Sequence, residues 1–454
     1  MKKRPISPDP FRQQIKKLLV PIVVQNLFSA AVASADVIML NYVGQSAIAA
    51  VSLAVQYTSV LLMVYFGLGT GATVLCAQYY GKNDLRAIEA VEGIALRFSI
   101  LISLLFALAA VFIPERMMRI FTEEPELITL GASYLRIVSV SYFCWSITEI
   151  YLAILRSIGR VAISTAIKTG TFLLNILLNA VFLFGLFGLP KLGVQGVALA
   201  TSASRALELV ACFVVSAASD KVKLKLSARF VKNKVLFRDF IRISLPALGN
   251  DVSWGVAFSM YSVILGHLGS DAVAANSFVS VARSFGTVLC YGVASAGGSL
   301  LGNVIGAGRL DDARDYARRI LRLAVLSGAI GGALILLATP FVLRFADVTD
   351  TARHYLKYMM LINVYYVMGA AVNTTLIGGV FRAGGDTRWG FLCDTIDMWG
   401  YAVPLGFLAA FVLRLPVMWV YFLLCTDEFV KWPWVFRHYR SEKWLNNITR
   451  DNLF

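Results

Sequence analysis

The chain has 454 residues, of which 58% are hydrophobic and only 15% charged, with a mean hydropathy of +0.70. Soluble domains carry about 25% charged residues, so a soluble globular protein is excluded and an all-α integral membrane protein is expected. The net charge of +15 falls in loops and tails, where lysine and arginine mark the cytoplasmic face, so the lipid bilayer and not nucleic acid is the implied partner.

Apolar runs between polar breaks predict twelve spans. A polar tail, 1–15, precedes them; its start, "MKKRPISPDPFRQQIKK", is read as carrying no cleavable signal peptide. Spans one to six lie at 16–41, 50–79, 94–113, 127–156, 163–187 and 193–218. A basic linker, 219–239, follows. Spans seven to twelve lie at 240–266, 275–304, 320–343, 354–381, 388–412 and 415–436, and a tail, 437–454, closes the chain. Lysine and arginine crowd both tails, the linker and the loop after span eight, and are absent from "YVGQSAIAA" and "HLGSDAVAA". That alternation places both termini in the cytoplasm. The six cysteines are scattered and form no CxxC, so neither a disulfide framework nor a metal site is expected.

The sequence repeats itself. A shift of 225 lays Pro21 on Pro246, Gly44 on Gly269, Gly67 on Gly292 and Gly81 on Gly306; a shift of 226 lays Arg156 on Arg382, Gly159 on Gly385 and Pro190 on Pro416. Each copy has six spans, an even number, so the copies run parallel and form two pseudo-symmetric six-helix bundles, 16–218 and 240–436.

One stretch invites a catalytic reading. "LGNVIGAGRLDDARDYARR" carries a DDxxD at Asp311, Asp312 and Asp315, which would suit a diphosphate-processing membrane prenyltransferase. Its counterpart, "CAQYYGKNDLRAIEA", has no aspartate pair, and no second acidic motif completes the site. The preferred reading is that Gly306 ends a span and the acids start a short amphipathic helix. No GxxxxGK[ST] is present, so ATP is not expected to bind by that route; no enzyme activity and no cofactor is expected.

Two bundles without a nucleotide site suggest alternating access driven by an ion gradient, H+ or Na+. Intramembrane polar groups are then the site candidates. Asp36 is the sole charge of span one, Asn175 and Asn179 share a face of span five, and Thr201 lies in span six. Measured from the outer end of each span, Asp36 lies about 9 Å deep, Asn179 and Thr201 about 12 Å, and Asn175 about 18 Å. Asp251, Asp394 and Asp397 are alternative acids of the second bundle. Arg205 and Glu208 are expected to pair, as are Glu149 and Lys168, while Arg283 has no evident partner and is a candidate to line the cleft. Pro21, Pro246 and Pro404 fall inside spans and permit bends.

Three stretches then carry a resemblance. "ADVIMLNYVGQSAIAAVSLA" (35–54), "NILLNAVFLFGLFGLPKLGVQGVALAT" (175–201) and "FRAGGDTRWGF" (381–391) resemble the multidrug and toxic compound extrusion (MATE) transporters of the MOP flippase superfamily. The resemblance implies a monomeric twelve-span antiporter of the cell membrane that expels organic, often cationic, small molecules against protons or sodium. In the proton-coupled prokaryotic (DinF-like) branch it implies a first-bundle site that Asp36, Asn175 and Thr201 match, with Asn179 where an acid is usual. The C-lobe acids of the sodium-coupled branch fall near Trp254 and Ala371, neither an acid. A lipid-linked precursor flippase of the same superfamily is the alternative.

Overall fold

The computed structural model describes residues 10–41, 44–188, 190–219, 223, 233–346, 348–451 and 453; side chains at 32–38, 40–41, 45 and 187 lie outside that description. Every regular element among the described residues is helical. The first half comprises α1 (Pro10–Asn41), α2 (Gln45–Gly81), α3 (Leu85–Phe112), the short α4 (Pro114–Arg119), α5 (Pro125–Ser157), α6 (Val161–Phe184) and α7 (Gly193–Ala217). The second comprises α8 (Lys234–His267), α9 (Ser270–Gly306), α10 (Leu310–Phe345) and α11 (Asp350–Asn373), which widens into a π-turn at Thr374–Phe381. Span eleven follows as α12 (Thr387–Thr395), a π-turn (Ile396–Ala402), α13 (Val403–Phe407) and a second π-turn (Leu408–Val412). The last span breaks into α14 (Val417–Leu424), α15 (Asp427–Val430) and α16 (Trp432–Arg440). Nine helices among the described residues are long and apolar enough to cross a membrane.

The repeat reappears as backbone geometry. Gly44 opens α2 at φ 133° and Gly269 opens α9 at φ 119°, a region that residues with a side chain rarely enter. The two helices end 225 positions apart, at Gly81 and Gly306. Gly159 and Gly385 turn the chain after α5 and after the α11 π-turn at φ 81° and 77°. Pro21 and Pro246 sit inside α1 and α8. Pro404 is the second residue of α13, immediately after a π-turn.

Three expectations are corrected here. Spans three and nine begin earlier than their apolar runs suggest, at Leu85 and Leu310. Asp84 caps the first by accepting from the Ala87 amide at 3.0 Å. Asp311 and Asp312 start no separate helix; they occupy the first turn of the 36-residue α10 itself. Their charges are answered by arginines at helical spacing, Asp311 by Arg314 at 2.6 Å, Asp312 by Arg309 at 3.6 Å and Asp315 by Arg319 at 2.7 Å. The single rods expected for spans ten to twelve are interrupted by wide turns and short pieces.

The chain forms two compact units. One holds Val24–Leu248 and the chain end from Arg450; the other holds 10–23 with Gly249–Thr449. In the first, α5 is the central rod, packed against α2, α3 and α7. Its core gathers Tyr65, Tyr142 and Trp145; the Tyr65 hydroxyl is held between Ser103 Oγ at 2.5 Å and the Tyr142 carbonyl at 3.2 Å. The chain end is tied down by a two-pronged contact from Arg450 to the buried Asp239, at 2.6 and 2.8 Å. In the second unit α9, α10 and α11 pack together, and Gly298 and Gly379 let the α9 backbone approach the π-turn of α11: a β-carbon on Gly379 would lie 2.8 Å from the Ala294 carbonyl.

Candidate functional site

In the first unit, α6 and α7 bring three of the four expected residues together. Asn179 donates from Nδ2 to Asn175 Oδ1 at 3.2 Å, and Asn175 donates to Thr201 Oγ1 at 3.5 Å. The four-residue spacing on α6 is what stacks the two amides on one face. Asn179 is 1% exposed. Asp36 falls on α1, and its side chain lies outside the described residues. An oxygen-rich amide and hydroxyl set of this kind can ligate a hard cation or hold a protonated acid in place.

The same unit also holds an ion cluster. Lys168 on α6 bridges Glu149 at 3.0 Å and Glu208 at 2.9 Å, and Arg156 approaches Glu149 at 3.6 Å. The Glu149–Lys168 pair is the one expected from sequence. The expected Arg205–Glu208 pair is not formed. Glu208 turns to Lys168, while Arg205 lies over the Trp145 ring at 3.9 Å and donates to Ser141 at 3.0 Å. One turn of α7 carries each charge to a different neighbour, α6 for the acid and α5 for the base.

The second unit holds a denser cluster. Lys431, 2% exposed, lies 3.3 Å from Asp394, 3.3 Å from Glu428 and 3.6 Å from Asp397. Asn250 donates to Asp394 at 3.1 Å, and Asn373 donates to Glu428 at 2.6 Å. Asp427, wholly buried, accepts from the Tyr261 hydroxyl at 3.3 Å. Asp394 and Asp397 thus meet on one helix as expected, but the other half of the cluster was not foreseen. Lys431 falls near the end of span twelve, 415–436, and is packed inside the unit at the α15–α16 junction. The signal was present in "CTDEFVKW", where Glu428 and Lys431 stand three apart, a spacing that places them side by side on a helix. Four carboxylates facing one ammonium would carry three uncompensated charges, and each buried ion costs several kcal/mol. Such a cluster is chemically suited to hold protons or a hard cation.

Asp251 stands apart from it, paired with Arg382 at 3.1 Å. The repeat is visible in that pair, since Arg156, the counterpart of Arg382, likewise ties down an acid. Arg283 does have partners: Nε donates to Asn363 Oδ1 at 2.7 Å, a terminal nitrogen to the Tyr421 hydroxyl at 2.9 Å, and the guanidinium lies 4.8 Å from the Tyr366 ring centre. It lines a cavity of about 230 Å³ within this unit.

Comparison with known proteins now bears on this geometry. The MatE family model matches twice, over residues 21–181 and 252–408. The uncharacterized transporter YisQ of Bacillus subtilis is 24% identical over 94% of this chain and 93% of its own. The probable multidrug resistance protein YoeA of the same organism is 26% identical over 89% and 88%. The human multidrug and toxin extrusion protein 1 is 24% identical over 92% of this chain and 73% of its own. Among solved structures, a MATE crystal structure in the straight conformation superposes with a TM-score of 0.86 at 18% identity, over 95% of this chain and 97% of that one. A MOP superfamily transporter from Pyrococcus furiosus gives 0.85 at 18%, over 95% and 96%. These likenesses establish the all-α twelve-span membrane fold.

Proposed function

The chain belongs to the MatE family of membrane transporters, and from that premise we propose that it is a secondary antiporter that exports organic compounds, many of them cationic, in exchange for protons or sodium by alternating access. The observation that carries the reading is the linked set Asn175, Asn179 and Thr201 on α6 and α7. In a lipid-embedded bundle such groups are expensive unless used. Asp36, on the helix that precedes them in sequence, supplies the titratable member. In this reading the acid exchanges a proton, or the acid and amides share a sodium ion, and occupancy alters which way the bundle opens. The names of the relatives YoeA and human multidrug and toxin extrusion protein 1 support a broad range of organic substrates. The protein works as a monomer in the cell membrane, with both termini cytoplasmic.

The test is efflux from proteoliposomes loaded with a panel of fluorescent organic cations, under imposed proton or sodium gradients. Extrusion driven by one gradient and collapsed by its ionophore is the expected result. Extrusion indifferent to both gradients would remove the antiport reading.

A further inference from the structure

Arg283 raises a question that cation export does not answer. It sits on α9 in a lobe otherwise rich in acids, yet no carboxylate pairs with it among the described residues; its hydrogen-bond partners, Asn363 and Tyr421, are neutral. A guanidinium has five N–H donors, and only two have a described acceptor. Asn276, Ser280 and Arg283 are four and three residues apart, hence on one helical face, and all three line the 230 Å³ cavity between α8, α9, α11 and α14. Tyr421 accepts from both Arg283 and Asn363, at 2.9 and 2.7 Å, which leaves its own O–H to donate. By contrast Ser259, Ser262 and Ser280 donate to carbonyls of their own helices. The acids on that side, Asp427 and Glu428, are buried and engaged elsewhere: Asp427 accepts a hydrogen bond from the Tyr261 hydroxyl, and Glu428 pairs with Lys431 and accepts from Asn373. The cavity therefore has one donor-rich, cationic end and aromatic walls from Phe258, Tyr261 and Tyr366. A second cavity of about 280 Å³ shares Ser262, Leu265, Asn276 and Ser280 with the first, and joined they enter the range of small-molecule pockets, roughly 300–1,000 Å³.

We infer that this cavity is a subsite for an oxyanion group of carboxylate type, gripped by Arg283, with the aromatic walls taking the ring system that bears it. The inference rests on the transporter reading and names the cavity and the residue that take the anionic end of a substrate. A planar guanidinium matches a carboxylate in two-pronged geometry, and a charge-assisted contact out of water changes affinity by about tenfold or more.

Two dyes that differ by one ester decide it. Rhodamine 110 carries a free carboxylate; rhodamine 123 is its methyl ester. Full-length protein in phosphatidylcholine nanodiscs, titrated by fluorescence anisotropy, should bind rhodamine 110 about tenfold more tightly. Arg283→Gln should erase that preference by weakening rhodamine 110 alone. Asn276→Asp keeps Arg283 and sets a negative charge on the same face, so it should weaken rhodamine 110 in the same direction; it decides the matter if Arg283→Gln does not fold. An acidic lipid headgroup offers the same chemistry. Weaker rhodamine 110 binding in phosphatidylglycerol nanodiscs assigns the subsite to lipid headgroups, and undiminished binding assigns it to soluble anions. Equal affinity of the wild type for the two dyes, or a preference untouched by both substitutions, overturns the subsite. Gradient-driven efflux of rhodamine 123 without any such preference would sink the subsite and leave the antiport reading intact; the preference without efflux would do the reverse.

Discussion

Lys431 places one ammonium within 3.6 Å of three carboxylates in a buried interior. Removing one member of a buried ionic set leaves the others uncompensated, which costs about 3–5 kcal/mol. Lys431→Met should therefore lower the thermal unfolding midpoint in detergent far more than Arg319→Met, which breaks a half-exposed pair with Asp315 worth about 0–1 kcal/mol. Equal shifts for the two variants would show that the cluster is wet and weak. A second residue-scale prediction concerns coupling. Asp36→Asn keeps the shape of the side chain and removes its charge, so it should abolish gradient-driven efflux while expression and monodispersity stay at wild-type levels. Asn175→Ala and Thr201→Ala should each reduce efflux, because the linked set they share with Asn179 would lose a member. Undiminished efflux by Asp36→Asn would move attention to the acids around Lys431.

At the scale of elements, the packing of the second unit turns on backbone contact. Gly379 lies in the π-turn of α11, and a side chain there would meet the Ala294 carbonyl. Gly379→Leu should push α9 and the π-turn apart, a cost of at least about 1–3 kcal/mol for overpacking, readable as a drop in thermal stability. Gly378→Ala, one residue earlier, meets nothing closer than 4.0 Å and should be neutral or slightly stabilising, because alanine is the better helix former; a matching drop there would show that contact at position 379 does not set the effect. The same turn shows what the sequence can and cannot disclose. Hydropathy located the long rods and Gly306 marked the end of one, because those features are local; the starts of α2 and α9, beside Gly44 and Gly269, lie five residues before their apolar runs at 50 and 275. The π-turns were invisible, since they arise where Thr374–Phe381 must fit against a neighbouring backbone. The Asn175–Asn179 pair was legible because helical spacing alone brings it about. Arg205 and Glu208 misled for the converse reason: their three-residue spacing permits a pair, and tertiary neighbours on α5 and α6 outbid it. Lys431 is legible in the sequence as a charge within span twelve, but only the fold shows which acids surround it.

For the whole molecule, the two copies share a frame but not a charge pattern. Position 168 carries the cation of the first ion cluster, and 226 residues later Asp394 carries an acid of the second. Duplication has thus kept the backbone, with Gly44 and Gly269 at φ 133° and 119°, while the buried electrostatics diverged. How the copies lie in the bilayer is the remaining issue. An even number of spans per copy makes corresponding loops emerge on the same side, whereas an odd number would put them on opposite sides. Ser46 and Ser270 lie in the first turns of α2 and α9, beside the glycines that open them and in stretches free of lysine and arginine; Lys223 and Arg309 lie in basic stretches. In a background lacking the native cysteines, a cysteine at Ser46 and one at Ser270 should both react with an impermeant thiol reagent applied to intact cells. Cysteines at Lys223 and Arg309 should react only after the membrane is opened. Labelling of Ser46→Cys but not Ser270→Cys would mean inverted copies, and labelling of Lys223→Cys in intact cells would reverse the orientation. The positive-inside bias counts for most in short loops near the ends of spans, and it favours one face at every one of these four positions, so the four variants should give one consistent pattern.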